Sequence, residues 1–323
     1  MLSQSGMGPS LWRSIANVVF CLWFASVAFG LDYYVSPNAH LQNQTGTSQA
    51  ELSLWAAKDV VQHAIAEGMT EDITVHIADG LYILNESLVF GRADSGQNGH
   101  TVRWIAAGAN ATISGGHKVT GWIRSNATGI YEASVPKGLQ SRNLYVNGWA
   151  ANYARRELNR TYFTATNTSF NWNSSEFDWL MTTPGIERAE LRQIGSFTDR
   201  YAPIESIGDR ELIMAQWCWH NQVRGYDDFA APYADFGLFV QNAFALLKDG
   251  GEYYLDSDQG KVYYMPLEGE DMSVVETYLG VLEAIVIISG TYDDPAHDIS
   301  MENLNFVSIC HRHMPSVCYL QPS

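Results

Sequence analysis

The stretch ITVHIADGLYILNESLVFG, Ile73 to Gly91, carries the reading of the fold. Apolar residues alternate at Ile73, Val75 and Ile77, the period of a half-buried strand, and Asp79-Gly80 then breaks the run with turn chemistry. Two more short apolar triplets follow before Gly91. The next stretch, VRWIAAGANATISGGHKVTGW, Val102 to Trp122, repeats the scheme with Val102, Trp104, Ile113 and Val119. Very short strands, parted by Gly, Asn and Ser turns and recurring about every 20–30 residues, point to a solenoid in which each coil stacks on the last. A β-sandwich also uses short alternating strands, and periodicity alone leaves both open.

Upstream, SQAELSLWAAKDVVQHAIAEG, Ser48 to Gly68, has apolar residues at Leu54, Ala57, Val60, Val61, Ala64 and Ile65, which is helical spacing. Ser48 or Ser53 can cap its start and Gly68 ends it, making it the one N-terminal helix of an otherwise all-β chain. Downstream, GGEYYLDSDQGKVYYMPLEGEDM, Gly250 to Met272, sets two aromatic runs around a short polar segment. Asp256 and Asp258 have the first spacing of a calcium loop, but Gly260 falls one position early and Leu267 stands where the closing glutamate belongs. The segment reads as a hairpin whose loop places Gly260 in a left-handed conformation. VLEAIVIISGTYDDPAHDISMENLNFVSI, Val281 to Ile309, returns to short strands, with Ile285, Ile287, Ile299, Met301, Leu304 and Phe306 expected to face inward. The expected organisation is a signal peptide over 1–30, entry segment and first rungs over 31–149, an inserted β-rich subdomain over 150–275, and further rungs over 276–323. The final CHRHMPSVCYLQPS offers no capping element, so the sequence is expected to be truncated or the front of a longer protein.

Arg13 precedes an apolar run, Ile15 to Phe29, that ends in Ala28-Phe29-Gly30, the pattern of a secretory leader cleaved after Gly30. The run is shorter than a spanning helix needs, so no membrane partner is expected after cleavage. Asn-x-Ser/Thr acceptors stand at Asn43, Asn85, Asn110, Asn126, Asn159, Asn167 and Asn173, as in a secreted extracellular glycoprotein. Three of them mark Asn159 to Asn173 as an exposed, irregular segment. Beyond the leader only Cys218, Cys310 and Cys318 remain; one disulfide and one free thiol are expected, with Cys310–Cys318 a possible pair. His311 and His313 flank Cys310 without a fourth ligand at a metal-site spacing, and no metal or other cofactor is expected. The net charge of −16 repels polyanions, so nucleic acid is not an expected partner.

Several segments together resemble a known family. YYVSPNAHLQNQTGT (from Tyr33) with AAKDVVQHAI (from Ala56), then ITVHIADGLYIL and RNLYVNGWAANYARR (Arg142 to Arg156), is similar to the opening of secreted right-handed parallel β-helix proteins of the pectin-lyase-like fold. Gly251-Glu252-Tyr253-Tyr254-Leu255-Asp256, Gly260, Tyr263-Tyr264, Pro266 and Gly269-Glu270-Asp271 match that family's hairpin. Within that fold the segments resemble β-helix glycoside hydrolases of the fucosidase/xylanase type. The resemblance implies an incomplete parallel β-helix, a polysaccharide or cell-wall glycan as partner, and catalytic carboxylates on rungs beyond this sequence. Asn38-Ala39-His40 and Glu51-Leu52 depart from the family's Gly-x-Asp and Pro-Phe. A non-catalytic or degenerate wall-binding protein is the alternative, and a polysaccharide lyase a third.

For carbohydrate contact the best stretch is QWCWHNQVRGYDDF, Gln216 to Phe229. Read as a strand, it puts Trp217 and Trp219 on one face and Cys218 and His220 on the other. Indoles stack on the C–H faces of sugars and His or Asp bonds their hydroxyls, although tryptophans spaced this way also serve as core. Hydrolysis needs two carboxyl groups across the scissile bond. Asp227 with Asp228, and Asp293 with Asp294, are adjacent pairs that read equally as turns. His311 and His313 would project to one side of the last strand and could line a groove.

Overall fold

A computed structural model describes residues 30–39, 46–47, 51–125, 128–231 and 235–310. It is mainly β. Strands β1 (Leu31–Val35), β2 (Ile73–Ile77), β3 (Gly80–Ile83), β4 (Leu88–Phe90), β5 (Val102–Ala106) and β6 (Ala111–Ser114) lay out three parallel sheets. The first is β1-β2-β5 with Ile299–Glu302; the second is β3-β6 with Asn305–Val307; the third pairs β4 with Val286–Ile288. One circuit of the chain therefore visits the three sheets in turn.

Register explains why the circuits stack. Ile73 lies on Val102, Val75 on Trp104 and Ile77 on Ala106, so inward residues of successive circuits coincide and all six are buried. A slip of one residue would turn them all outward, and each aliphatic side chain buried this way is worth about 1.5–3 kcal/mol. The corner after β2 works as its sequence suggests. Gly80 has φ +142° with the Pro37 ring against it, and Asp79 Oδ1 accepts the Asn110 N–H at 2.9 Å. Tyr82 points inward and donates its hydroxyl to the Ala78 and Val35 carbonyls, at 2.9 and 3.2 Å.

Helix α1 (Leu54–Glu67) packs against this core through Leu54, Ala57, Val61 and Ile65. Ser53 Oγ accepts the Ala56 N–H at 3.2 Å, and Gly68 ends the helix with φ +105°. Buried Asp94 pins it from the side, taking Lys58 Nζ at 2.9 Å and Gln62 Nε2 at 2.8 Å.

After β6 the chain leaves the third circuit at Gly115-Gly116 and re-enters at Val281-Leu282, whose two N–H groups both donate to the Gly115 carbonyl at 3.0 and 2.9 Å. The outgoing strand Gly116–Val119 and the returning strand Thr277–Gly280 are paired antiparallel. Between them lie mostly antiparallel sheets, one of five strands and one of seven among them. The hairpin Glu252–Asp256/Lys261–Met265 belongs to the five-stranded sheet, turning at Gly260 with φ +68°. Tyr253 and Tyr264 face each other in one core, while Tyr254 and Tyr263 stack on the opposite face beside Phe244.

Two expectations are corrected. Gln216–Gln222 is an α-helix, not a strand, begun by the Ala215 carbonyl accepting from Cys218 and Trp219. At 3.6 residues per turn, positions two apart diverge by about 200°, so Trp217 is 54% exposed while Trp219 is fully buried. The Trp219 ring packs on Phe229 and Phe170, and its Nε1 donates to the Thr166 carbonyl at 2.9 Å. The segment from Asn159 to Asn173 is not irregular either. It holds the hairpin Phe163–Ala165/Ser169–Trp172, with Phe163, Phe170 and Trp172 in the core. Asn85, Asn110, Asn159, Asn167 and Asn173 are exposed; Asn43 and Asn126 lie outside the described residues.

Trp219→Ala should cost about 3–5 kcal/mol of unfolding free energy in urea. Trp149→Ala, whose side chain is 82% exposed, should stay within about 0.5 kcal/mol of the parent; equal losses would contradict the assignment.

Candidate functional site

The seven-stranded sheet has one apolar and one charged face. Strands Arg155–Leu158, Gly237–Gln241, Glu190–Ile194 and Asp199–Gly208 lie side by side, and Leu158, Leu238, Val240, Leu191 and Ala202 turn into the core. Alternation puts the residues between them on the opposite face. Cross-strand pairing aligns these as Glu157–Phe239–Arg192–Tyr201 and Arg155–Gln241–Glu190–Pro203. At about 4.8 Å per strand, each row is about 14 Å long.

The inner end of this face is tightly bonded. Arg142 Nη1 donates to Glu190 Oε2 at 3.0 Å and Nη2 to Oε1, while Gln241 Nε2 reaches Oε1 at 2.7 Å. Burial alone would weaken the hold of Arg142 on its proton, but the Glu190 carboxylate outweighs it and keeps the guanidinium firmly charged. The same guanidinium lies over the rings of Tyr201 and Tyr153, at 4.7 and 5.5 Å. Arg192 covers Tyr201 as well and pairs with both oxygens of Asp199 at 2.8 Å, and the Tyr201 hydroxyl donates to Asp199 Oδ2 at 2.9 Å. Burial pushes the Tyr201 hydroxyl up to about 12. The Arg142 N–H donates to Cys310 Sγ at 3.4 Å and the Tyr145 hydroxyl to the Ile309 carbonyl at 2.8 Å, tying this cluster to the last described circuit.

The outer end opens into a polar cleft of about 530 Å³, lined by Arg155, Arg156, Glu157, Phe239, Lys248 and Glu252 among others. The Arg155 guanidinium lies over the Phe239 ring at 4.8 Å and that of Arg156 over Trp179 at 4.4 Å. Stacking of this kind orients a guanidinium while leaving its edge N–H groups to bond a ligand. Glu252 forms the floor. Its Oε2 accepts the Asp249 and Lys248 N–H groups at 3.2 and 3.4 Å, and Oε1 the Arg155 N–H at 3.3 Å, so it ties the hairpin's leading turn to the edge strand. Burial raises its proton affinity above the ordinary glutamate value of 4.5, outweighing the three N–H donors that lower it. Glu157 and Asp249 stand in solvent at the rim. The cleft thus joins Arg155, Arg156 and Lys248 with the acidic side chains of Glu157 and Asp249 and with a glutamate whose proton affinity burial raises.

The residues expected from sequence lie elsewhere. None of Trp217, Trp219, His220, Asp227 and Asp228 lines the cleft. Trp217 and His220 are exposed on their helix and Trp219 is core. Asp227 is a buried turn residue that accepts the Phe197 N–H at 3.2 Å, and Asp228 accepts from Ala230 at 2.8 Å. Asp294 pairs with Arg92 at 3.1 Å in its turn. His311, His313 and Cys318 lie outside the described residues. Cys310, one half of the possible Cys310–Cys318 pair, carries a free, buried thiol, and Cys218 is disulfide-bonded. Among the described residues no three His, Cys, Asp or Glu side chains converge as metal ligands, and no helix is long and apolar enough to cross a membrane. The cleft residues Arg155, Arg156 and Glu252 all sit in segments the sequence singles out. The only local sign of their role is charge interrupting strand-like runs.

No protein-family model matches the chain, and no curated protein matches it in sequence. A solved structure described as a glycoside hydrolase superposes with a TM-score of 0.75 over 87% of this chain at 22% identity. This chain covers 51% of that one, about half its length. The two share a fold.

Arg142→Met leaves Glu190 buried and unpaired and should cost about 3–5 kcal/mol in urea unfolding, most of it recovered in Arg142→Met/Glu190→Leu; failure of the double substitution to recover stability would contradict the pairing. For Glu252, the folded chain holds the proton more tightly than the unfolded one. Its contribution to stability is complete below about pH 4.5 and lost as pH rises through the folded value. Glu252→Gln should flatten that part of the stability curve, measured by urea titration between about pH 4 and 8.

Proposed function

We propose that the chain is an exported, polysaccharide-active protein of glycoside-hydrolase type, and that the cleft beside Glu252 grips its glycan. The observation that carries this reading is the fold likeness to a glycoside hydrolase over 87% of the chain. Three parallel sheets visited in turn, with matching inward rows, support a parallel β-helix. The paired strands at Gly116 and Gly280 support an inserted antiparallel unit. The exposed acceptor asparagines suit N-glycosylation of a secreted protein, with the leader over 1–30 removed.

In the cleft, Arg155, Arg156 and Lys248 supply donors, Glu157 and Asp249 supply acceptors, and apolar ring surface lies at Phe239, the mixture that sugar hydroxyls and C–H faces call for. Hydrolysis needs a protonated carboxyl facing an ionised one across the bond. Burial raises the proton affinity of Glu252, but its oxygens are engaged by three backbone N–H groups below the cleft surface. That engagement favours binding over bond cleavage as the role of these residues, and keeps a non-catalytic wall-binding protein as the second reading.

Arg155→Ala and Arg156→Ala should each weaken retention on soluble plant and microbial polysaccharides by about 10–100-fold, since each charge-assisted hydrogen bond is worth about 1.5–3 kcal/mol. Unchanged retention would remove the cleft from the reading. Release of reducing ends from any of these polysaccharides would separate hydrolase from binding protein.

A further inference from the structure

Phe197 and Tyr226 stand apart from the cleft and are used by nothing described above. Phe197 is at the tip of the hairpin joining Glu190–Ile194 to Asp199–Gly208, and Tyr226 is in the loop after the Gln216–Gln222 helix. They are 73% and 78% exposed, with ring centroids 5.8 Å apart and planes inclined by 53°. Two large rings held together in water need an anchor, and the anchor here is extensive.

Asp227, beside Tyr226, adopts φ +50°, uncommon outside glycine, and its Oδ2 accepts the Phe197 N–H at 3.2 Å. Fully buried Gln193 donates to the Asp227 and Asp228 carbonyls at 3.0 and 2.8 Å. Arg200 gathers the Asn221, Arg224 and Tyr226 carbonyls at 3.1, 3.1 and 2.7 Å. At Gly195 a Cβ would come 2.5 Å from that of Asp227, so the two turns approach as closely as backbone allows. Both rings therefore ride on turns locked to one another and to the sheet.

We propose that Phe197 and Tyr226 form a second glycan-stacking platform, separate from the cleft. The proposal rests on the reading of the chain as glycan-binding. Two aromatic side chains of about 150–250 Å² each fall well short of the roughly 800 Å² per partner of a stable protein interface. They match one or two sugar rings, with the exposed Asn221 and Arg224 alongside for hydroxyl groups. The inclination of the rings suits successive sugar units of a soluble chain rotated against each other, and suits poorly the flat face of a crystalline fibre.

The test is affinity electrophoresis of the full chain in native gels containing xyloglucan, arabinoxylan, galactomannan or mixed-linkage β-glucan. At least one should retard the parent; Phe197→Ala/Tyr226→Ala should weaken that retention about tenfold, and Phe197→Tyr/Tyr226→Phe should preserve it. In the unaltered protein the same polysaccharide should slow nitration of Tyr226, a reading independent of how the variants fold. No retardation of the parent, full retention by the alanine pair, or unprotected Tyr226 would each overturn the platform. Retention that the alanine pair weakens, without release of reducing ends, keeps the platform and removes the hydrolase reading; release with retention unaffected by the alanine pair does the reverse.

Discussion

The Gly115 carbonyl accepts the N–H groups of both Val281 and Leu282, and the order of the molecule depends on that junction. It closes the excursion between Gly116 and Gly280 at its base, so the third circuit resumes in the position it left. The cost of closing a loop grows only with the logarithm of its length, so one well-made base can close a long excursion. The paired strands Gly116–Val119 and Thr277–Gly280 extend the closure outward, and β4 then finds Val286–Ile288 in register.

Much of the parallel part was legible because its cause is local. Ile73, Val75 and Ile77 alternate, Asp79-Gly80 turns and Ser53 caps α1, each within a few residues of its effect. The left-handed Gly260 of the hairpin is a further case. The sequence placed the change of scheme at about residue 150, whereas antiparallel pairing begins at Gly116, since strands there look alike whichever way they pair. Trp217 and Trp219 misled because strand and helix both accommodate QWCWHNQ. The choice is made by the pocket of Phe170 and Phe229 around Trp219, and Phe170 lies on a distant strand that local reading does not see. The candidate site was largely hidden for the same reason. Arg155 meets Phe239 and Glu252 only through sheet pairing, and Arg142 finds Glu190 48 residues away.

The charged sheet face sets chain-wide charge against local need. A chain of net charge −16 brings Arg142, Arg155 and Arg192 onto one surface, each against an aromatic ring. Arg142 and Arg192 are spent on Glu190 and Asp199, which hold the sheet in place. Arg155 is held by Phe239 with its backbone N–H on Glu252, and its guanidinium is left to the cleft. Rigidity at the inner end and availability at the outer end thus arise from the same residue types on one face.

The position of the excursion also fixes an order of events during synthesis. Ser87 Oγ donates to the Ala284 carbonyl 197 residues later, and the Leu88 N–H to the Ile285 carbonyl. β4 is therefore synthesised early and waits for its partner until the whole antiparallel part has emerged. Contacts of such high sequence separation form slowly, and an unpaired strand edge is open to foreign strands meanwhile. The antiparallel part, with its own cores and many short-range hairpins, can fold during that interval and bring Val286–Ile288 to the waiting edge. The antiparallel part of the chain then acts as the timer for completion of the parallel part.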